Sequence, residues 1–113
     1  MDTLRADHLS CYGYPRETTP FIDSLARKGV RFENAFANAS WTLPSHLSVM
    51  TSRYPHSHGV ENDDRVLPAS AVTLAETLKA EGYSTTAFIS WVYVSAQFGF
   101  DQGFDAYHEL LPP

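Results

Sequence analysis

The sequence predicts an α/β fold with a mainly parallel sheet, and three observations carry that reading. Helix-start signals recur along the chain, at Thr19-Pro20, at Pro44 and at Thr73 with Glu76. Short runs rich in Val, Phe, Thr and Ile, of the kind that suits strands, fall among them. The two kinds of segment alternate, which is the order expected when helices connect parallel strands.

Thr19 reads as an N-cap, Pro20 as a first-turn proline and Gly29 as the stop, so a helix is predicted over residues 20 to 28. Phe21, Ile22, Leu25 and Ala26 give it one apolar face. From Val30 to Ala37, the alternation of Val30, Phe32 and Ala35-Phe36 with Arg31, Glu33 and Asn34 predicts a strand with a local irregularity. Ser40-Trp41-Thr42-Leu43-Pro44 reads as a turn whose proline opens a second helix over about residues 45 to 52. Residues 54 to 68 are polar and turn-rich, and read as a loop. Thr73 and Glu76 form a capping-box pair for a third helix that stops at Gly82. Ser84 to Ser90 suits a buried strand. Phe98-Gly99-Phe100-Asp101 and Gly103-Phe104-Asp105 read as a packed loop rather than a repeat.

Composition excludes several classes. At 113 residues, 43% hydrophobic and 13% aromatic, the chain is globular rather than disordered. A net charge of -5 argues against a general nucleic-acid binder, because phosphate backbones are held by Lys and Arg clusters. No apolar run approaches the roughly 18 residues of a membrane span. The single cysteine, Cys11, excludes an internal disulfide and a multi-cysteine zinc site, and reads as a small buried hydrophobe. The polar cluster Asp2, Arg5, Asp7 and His8 has the character of a strand end with no apolar strand before it. Leu110-Leu111-Pro112-Pro113 does not resemble the close of a domain, so the chain is expected to be truncated at both ends.

The chemistry concentrates in Thr42-Leu43-Pro44-Ser45-His46, continuing through Thr51-Ser52-Arg53-Tyr54-Pro55-His56. A hydroxyl just ahead of a helix start lies beside backbone N–H groups and the positive end of the helix dipole, where an anionic ester is drawn. A divalent cation held by Asp2 could lower that hydroxyl's pKa and screen the ester's charge.

This stretch resembles the signature of the sulfatase family of the alkaline phosphatase superfamily. In that signature a Cys or Ser nucleophile is followed by x-Pro-Ser-Arg, then Leu-Thr-Gly-Arg and a Tyr-Pro-His loop. Pro44, Ser45, Thr51, Arg53 and Tyr54 fall on the family's spacing. Asp2-Thr3-Leu4-Arg5 with Cys11-Tyr12-Gly13 resembles the family's first metal-binding turn, and Thr19 to Ala26 with Gly29 to Phe32 resembles the helix and strand that follow. The likeness runs from Asp2 to about Tyr107. It implies that residues 1–113 are part of an N-terminal catalytic domain with an alkaline-phosphatase-like three-layer fold. It implies a metal-dependent hydrolase of sulfate or phosphate esters, with Thr42 at the nucleophile position, His46 as an anion contact and Arg53 supporting the site. Asp2 and Thr42 would be ligands of a divalent metal ion, calcium by resemblance, with zinc, manganese or magnesium also admissible. The substrate would be a small-molecule, glycan-linked or lipid-linked anionic ester, and family members are often periplasmic, secreted or lysosomal.

The departures from that pattern shape the chemistry. A sulfatase converts its Cys or Ser to an aldehyde hydrate whose second hydroxyl expels sulfate, and threonine cannot provide it. Thr42 would act as a simple alkoxide, leaving an ester for water to cleave. That suits phosphoryl groups better than alkyl sulfates. His46 stands where the family has arginine, Ser90-Trp91-Val92 where members often have Lys-Trp-His, and Thr3 in place of a second aspartate. Two alternatives follow: a phosphotransferase of the same superfamily, or an inactive fragment that binds anions or a partner. The chain alone is expected to be inactive, because the family's later metal ligands do not appear in it.

Other residues have simpler readings. His56-Ser57-His58 could hold zinc, but no third ligand has suitable spacing, so a metal-free surface loop is preferred. His8 reads either as facing the site or as a solvent or turn residue, Asp7 as a brace of the turn, and Asp63, Asp64, Asp101 and Asp105 as solvated acids. Trp41 and Trp91 read as core or pocket-wall aromatics.

Overall fold

A computed structural model describes residues 3 to 111, and the chain divides after Phe36 into two compact units. Helices together with a parallel pair of strands make the fold α/β.

The first unit is built from two 3-10 turns, Ala6–His8 and Ser10–Tyr12, and helix α1, Pro20–Lys28, which starts and stops where Thr19, Pro20 and Gly29 predict. Its inward anchor is an acid. Asp23 is 9% exposed and accepts hydrogen bonds from the Cys11 amide (2.9 Å) and the Thr19 hydroxyl (3.2 Å), tying α1 to the second turn. Thr18 donates to the His8 carbonyl at 2.6 Å, closing the loop between. The strand expected over residues 30 to 37 is not formed. A strand needs a neighbour for its backbone groups and a surface for one face. Here Val30 is 82% and Phe36 86% exposed, and the segment is held instead by Tyr12, which donates to the Phe32 carbonyl, and by Arg31, which donates to the Cys11 carbonyl.

The second unit carries helices α2 (Thr42–Thr51), α3 (Pro55–His58) and α4 (Leu74–Ala80), and strands β1 (Thr86–Ile89) and β2 (Ala106–Glu109). Its core gathers Leu43, Leu47, Val60, Leu67, Ala71, Phe98 and Phe100, with Trp41, Met50, Tyr93, Val94 and Tyr107 packed around them. The helix expected from residue 45 starts three residues earlier, because Pro44 is accommodated in the first turn, where an N–H is not needed. Part of the expected 54 to 68 loop is the single turn α3, opened by Pro55 and closed by Gly59 at φ 80°.

The capping box of α4 is complete, Thr73 N–H donating to Glu76 (2.8 Å) and Glu76 N–H to the Thr73 hydroxyl (3.1 Å). Strands β1 and β2 pair in parallel, Thr86 opposite Ala106 through Ile89 opposite Glu109. β1 forms where expected but is not buried: its residues alternate between exposed and half-buried, and Phe88 is 70% exposed and stacked on His108. β2 was not anticipated.

Asp105 is exposed, as expected of a solvated acid, and it is also a latch. Its carboxylate accepts from the Thr85 amide (3.0 Å) and hydroxyl (3.2 Å) and pairs with Lys79 at 2.7 Å, so it joins α4 to the starts of both strands. The Lys79 ammonium and the Thr85 amide hold its carboxyl below the usual carboxylate range. The aromatic-glycine segments form the packed loop the sequence suggests. At Gly103 (φ 86°) the backbone passes so close to α4 that an added Cβ would lie 2.3 Å from the Glu76 nitrogen.

Candidate functional site

Helix α2 sets the site. Leu43, Pro44, Leu47, Ser48 and Thr51 are buried, so the helix is seated along its length in the core of its unit. Trp41 occupies the N-cap position without a capping hydrogen bond, and its ring packs edge-on against Tyr93 at 5.3 Å between centroids. Thr42 is therefore the first helical residue rather than a residue ahead of the helix, and it is partly buried. A nucleophile there sits within the first turn, where backbone amides and the dipole favour an anion.

His46 lies one turn further on. Its Nδ1 is 2.9 Å from the Thr42 carbonyl, which can only accept, so Nδ1 carries the hydrogen. In the neutral ring this leaves Nε2 as an acceptor. Nε2 donates to an anion only from the doubly protonated ring. The structure thus brings His46 to the backbone of Thr42. Arg53 follows Ser52, which caps α2 in the left-handed region at φ 54°, and is exposed. Asp2, the expected metal ligand, lies outside the described residues. Thr3 beside it has φ 56°, a strained value for a β-branched residue.

Among the described residues no group of three or more His, Cys, Asp or Glu converges on one point. They do not of themselves form a cation cage. His56 is exposed and stacked on Tyr54, as a surface loop requires, but His58 is 2% exposed and hydrogen-bonded inside the core. The reading of both histidines as surface residues is therefore corrected for His58. Sequence reasoning missed its partner Ser48 as well. The available signal was Ser48 lying beside Leu47 and one turn after Pro44, on the buried side of α2.

Around the first 3-10 turn, Asp7 accepts from Arg5 (2.9 and 2.6 Å) and lies 3.0 Å from His8, whose ring stacks on Tyr14. Asp7 braces the turn, as expected. Hydrogen bonds from Arg5 and His8 hold its carboxyl well below the usual range. Cys11 is half-buried rather than buried, a correction to its reading as a buried hydrophobe, and partial burial raises its thiol pKa. Trp91 is 51% exposed and edge-on to Tyr93 at 6.1 Å, so the aromatics next to α2 run from core to surface. No helix among the described residues is long and apolar enough to cross a membrane.

A family model described as Sulfatase matches residues 1–111. Over 95 residues the chain is 37% identical to the N-acetylgalactosamine-6-O-sulfatase of Bacteroides thetaiotaomicron, a match covering 80% of this chain and 19% of that protein. It is 33% identical to an arylsulfatase of Hemicentrotus pulcherrimus over 130 residues, covering 96% and 24%. It is 38% identical to arylsulfatase A of Homo sapiens over 96 residues, covering 80% and 19%. The chain thus spans about a fifth to a quarter of the length of these relatives.

Proposed function

The chain belongs to the sulfatase family, and on that premise we propose that the whole protein is a metal-dependent hydrolase of sulfate or phosphate esters with Thr42 as its nucleophile. The observation that supports the proposal is the place of Thr42 as the first residue of a helix seated in the core, at the position where the resemblance to the family's motif puts the nucleophile. The Thr42 oxygen attacks the sulfur or phosphorus, the bond to the leaving alcohol breaks, and that alcohol takes up a proton. Water then attacks the same centre, releasing inorganic sulfate or phosphate and restoring the hydroxyl.

Threonine supplies no second hydroxyl for elimination, so the intermediate has to yield to water, and this favours a phosphate ester. The names of the relatives favour a sulfate ester. Protonated His46, held by the Thr42 carbonyl, would donate from Nε2 to the ester's oxygens. Arg53 would support the loop after α2. The cation belongs to the same proposal, with Asp2 and the Thr42 hydroxyl as ligands and calcium as the metal; bound there, it would screen the charge of the ester. The described residues hold too few ligands for it, so other parts of the protein would complete the set. The 113-residue chain alone should accordingly show no turnover.

The test is the Thr42→Ala variant of the complete protein, assayed with an aryl phosphate and an aryl sulfate. Turnover of both should fall to background while metal content is largely kept, because Thr42 would be one ligand among several. Retained turnover would move the nucleophile elsewhere. A binding protein without turnover is the second reading, favoured by the joint departures at Thr42, His46, Ser90 and Val92. An unaltered protein that binds sulfate yet cleaves neither ester would establish it. Passage of the group to an added alcohol instead of water would mark a phosphotransferase.

A further inference from the structure

Helix α2 starts without a side-chain cap, and the bond from the Ser45 amide to the Trp41 carbonyl is long at 3.4 Å. A helix start presenting a reactive hydroxyl has to be fixed by something else, since small misplacements of reacting groups cost rate. Beneath that start lies His58, 2% exposed.

Its hydrogen-bond partners settle its tautomer. The Val60 amide donates to Nδ1 at 3.2 Å, so Nδ1 is bare and the neutral ring carries its hydrogen on Nε2. Nε2 faces α2, 3.2 Å from the Ser48 hydroxyl. Gly59 at φ 80° turns the chain back so that the Val60 amide can reach the ring, and Val60 is itself fully buried. One imidazole therefore bridges the chain after α3 to the second turn of α2. Burial lowers its pKa, the Pro44 carbonyl opposing this in part, which keeps the ring neutral. An apolar side chain of similar volume would fill the space but leave the Val60 amide and the Ser48 hydroxyl buried without these partners.

We propose that His58 is a positioning residue: through Ser48 it holds α2 in place so that Thr42 and His46, on the same helix, keep their orientation toward the ester. The inference rests on the proposed hydrolysis at Thr42, and it concerns a residue that does not touch the substrate.

Two variants of the complete protein separate positioning from mere packing. His58→Gln keeps an N–H near the place of Nε2, while His58→Asn keeps an acceptor near Nδ1 and loses the reach to α2. His58→Asn should lower kcat by up to about a hundredfold, the scale of a misplacement near 1 Å, with KM nearly unchanged. His58→Gln should keep most of kcat while losing a similar amount of thermal stability. Parallel losses of kcat and Tm in both variants, or an unaltered kcat in His58→Asn, would overturn the proposal.

If His58→Asn does not fold, Ser48→Ala takes its place. A several-fold lower kcat at unchanged KM is expected, and an unchanged kcat counts against the proposal. Nitrogen NMR of the His58 ring gives a check independent of activity. A neutral ring protonated at Nε2 is expected, and one protonated at Nδ1, or charged near neutral pH, overturns the assignment. Failure of the Thr42→Ala test with the NMR result intact would instead count against the reading of Thr42 as nucleophile, and not against the placement of His58.

Discussion

Helices α1 and α2 have similar lengths and proline-marked starts, but they are held in opposite ways. Along α2, Leu43 and Leu47 are fully buried and pack into a core supplied by its own unit. Along α1 the one buried residue is Asp23, while Phe21 is 73% and Leu25 54% exposed. An apolar stripe on a helix therefore states which face is suited to burial, not that a partner is present. The helix offering Thr42 is fixed by packing, and the other is tied by hydrogen bonds to a carboxylate.

The sharpest way to break this comparison is to shorten one leucine in each helix. In this chain, Leu47→Ala should cost about 3–5 kcal/mol in urea unfolding, and Leu25→Ala no more than about 0.5 kcal/mol. Equal losses would mean that α1 has a covered face after all.

Gly103→Ala comes next, because a side chain there meets the backbone of α4 and forces a left-handed conformation on a non-glycine residue. A loss of about 2–4 kcal/mol is expected. Thermal unfolding unchanged from the parent would show that the loop does not press on α4. Thr73→Ala should cost about 1 kcal/mol by removing one half of the capping box. Amide exchange should quicken at Glu76 first.

The smallest effect is one of pH. Burial alone would raise the Asp23 carboxyl, but hydrogen bonding, from the Cys11 amide and the Thr19 hydroxyl among others, outweighs it and leaves it below its ordinary 3.8. A folded value below the unfolded one means that the carboxylate's contribution is fully present above 3.8 and fades as pH falls through the folded value. Amide protection in α1 should therefore weaken in acid before protection in α2 does, and Asp23→Asn should remove that difference. Loss of both together would contradict the distinction between the helices.

Local rules were legible in the sequence wherever the partner is close along the chain. The capping box at Thr73 and Glu76, the proline start of α1 and the glycine-bearing loop around Gly99 and Gly103 are all of this kind. What needs a distant partner was not legible. Val30 to Ala37 alternates like a strand yet has no neighbouring strand among the described residues, and β2 at Ala106–Glu109 pairs with β1, 20 residues earlier in register. Asp105 is exposed as its sequence setting suggests, but its partners Lys79 and Thr85 are remote in sequence and so were not legible.

The same divide runs through the candidate site. The motif located Thr42 and His46, and the bond between the His46 ring and the Thr42 carbonyl joins residues one turn apart. Ser48 and His58 meet across ten residues and a change of helix, and so were missed.

The most direct test of the central claim is to quench the complete protein during turnover of an aryl phosphate and map the labelled residue by mass spectrometry. A phosphoryl group on Thr42 that disappears as product forms is the expected result. Continuing turnover with the group on another residue, or on none, would contradict it.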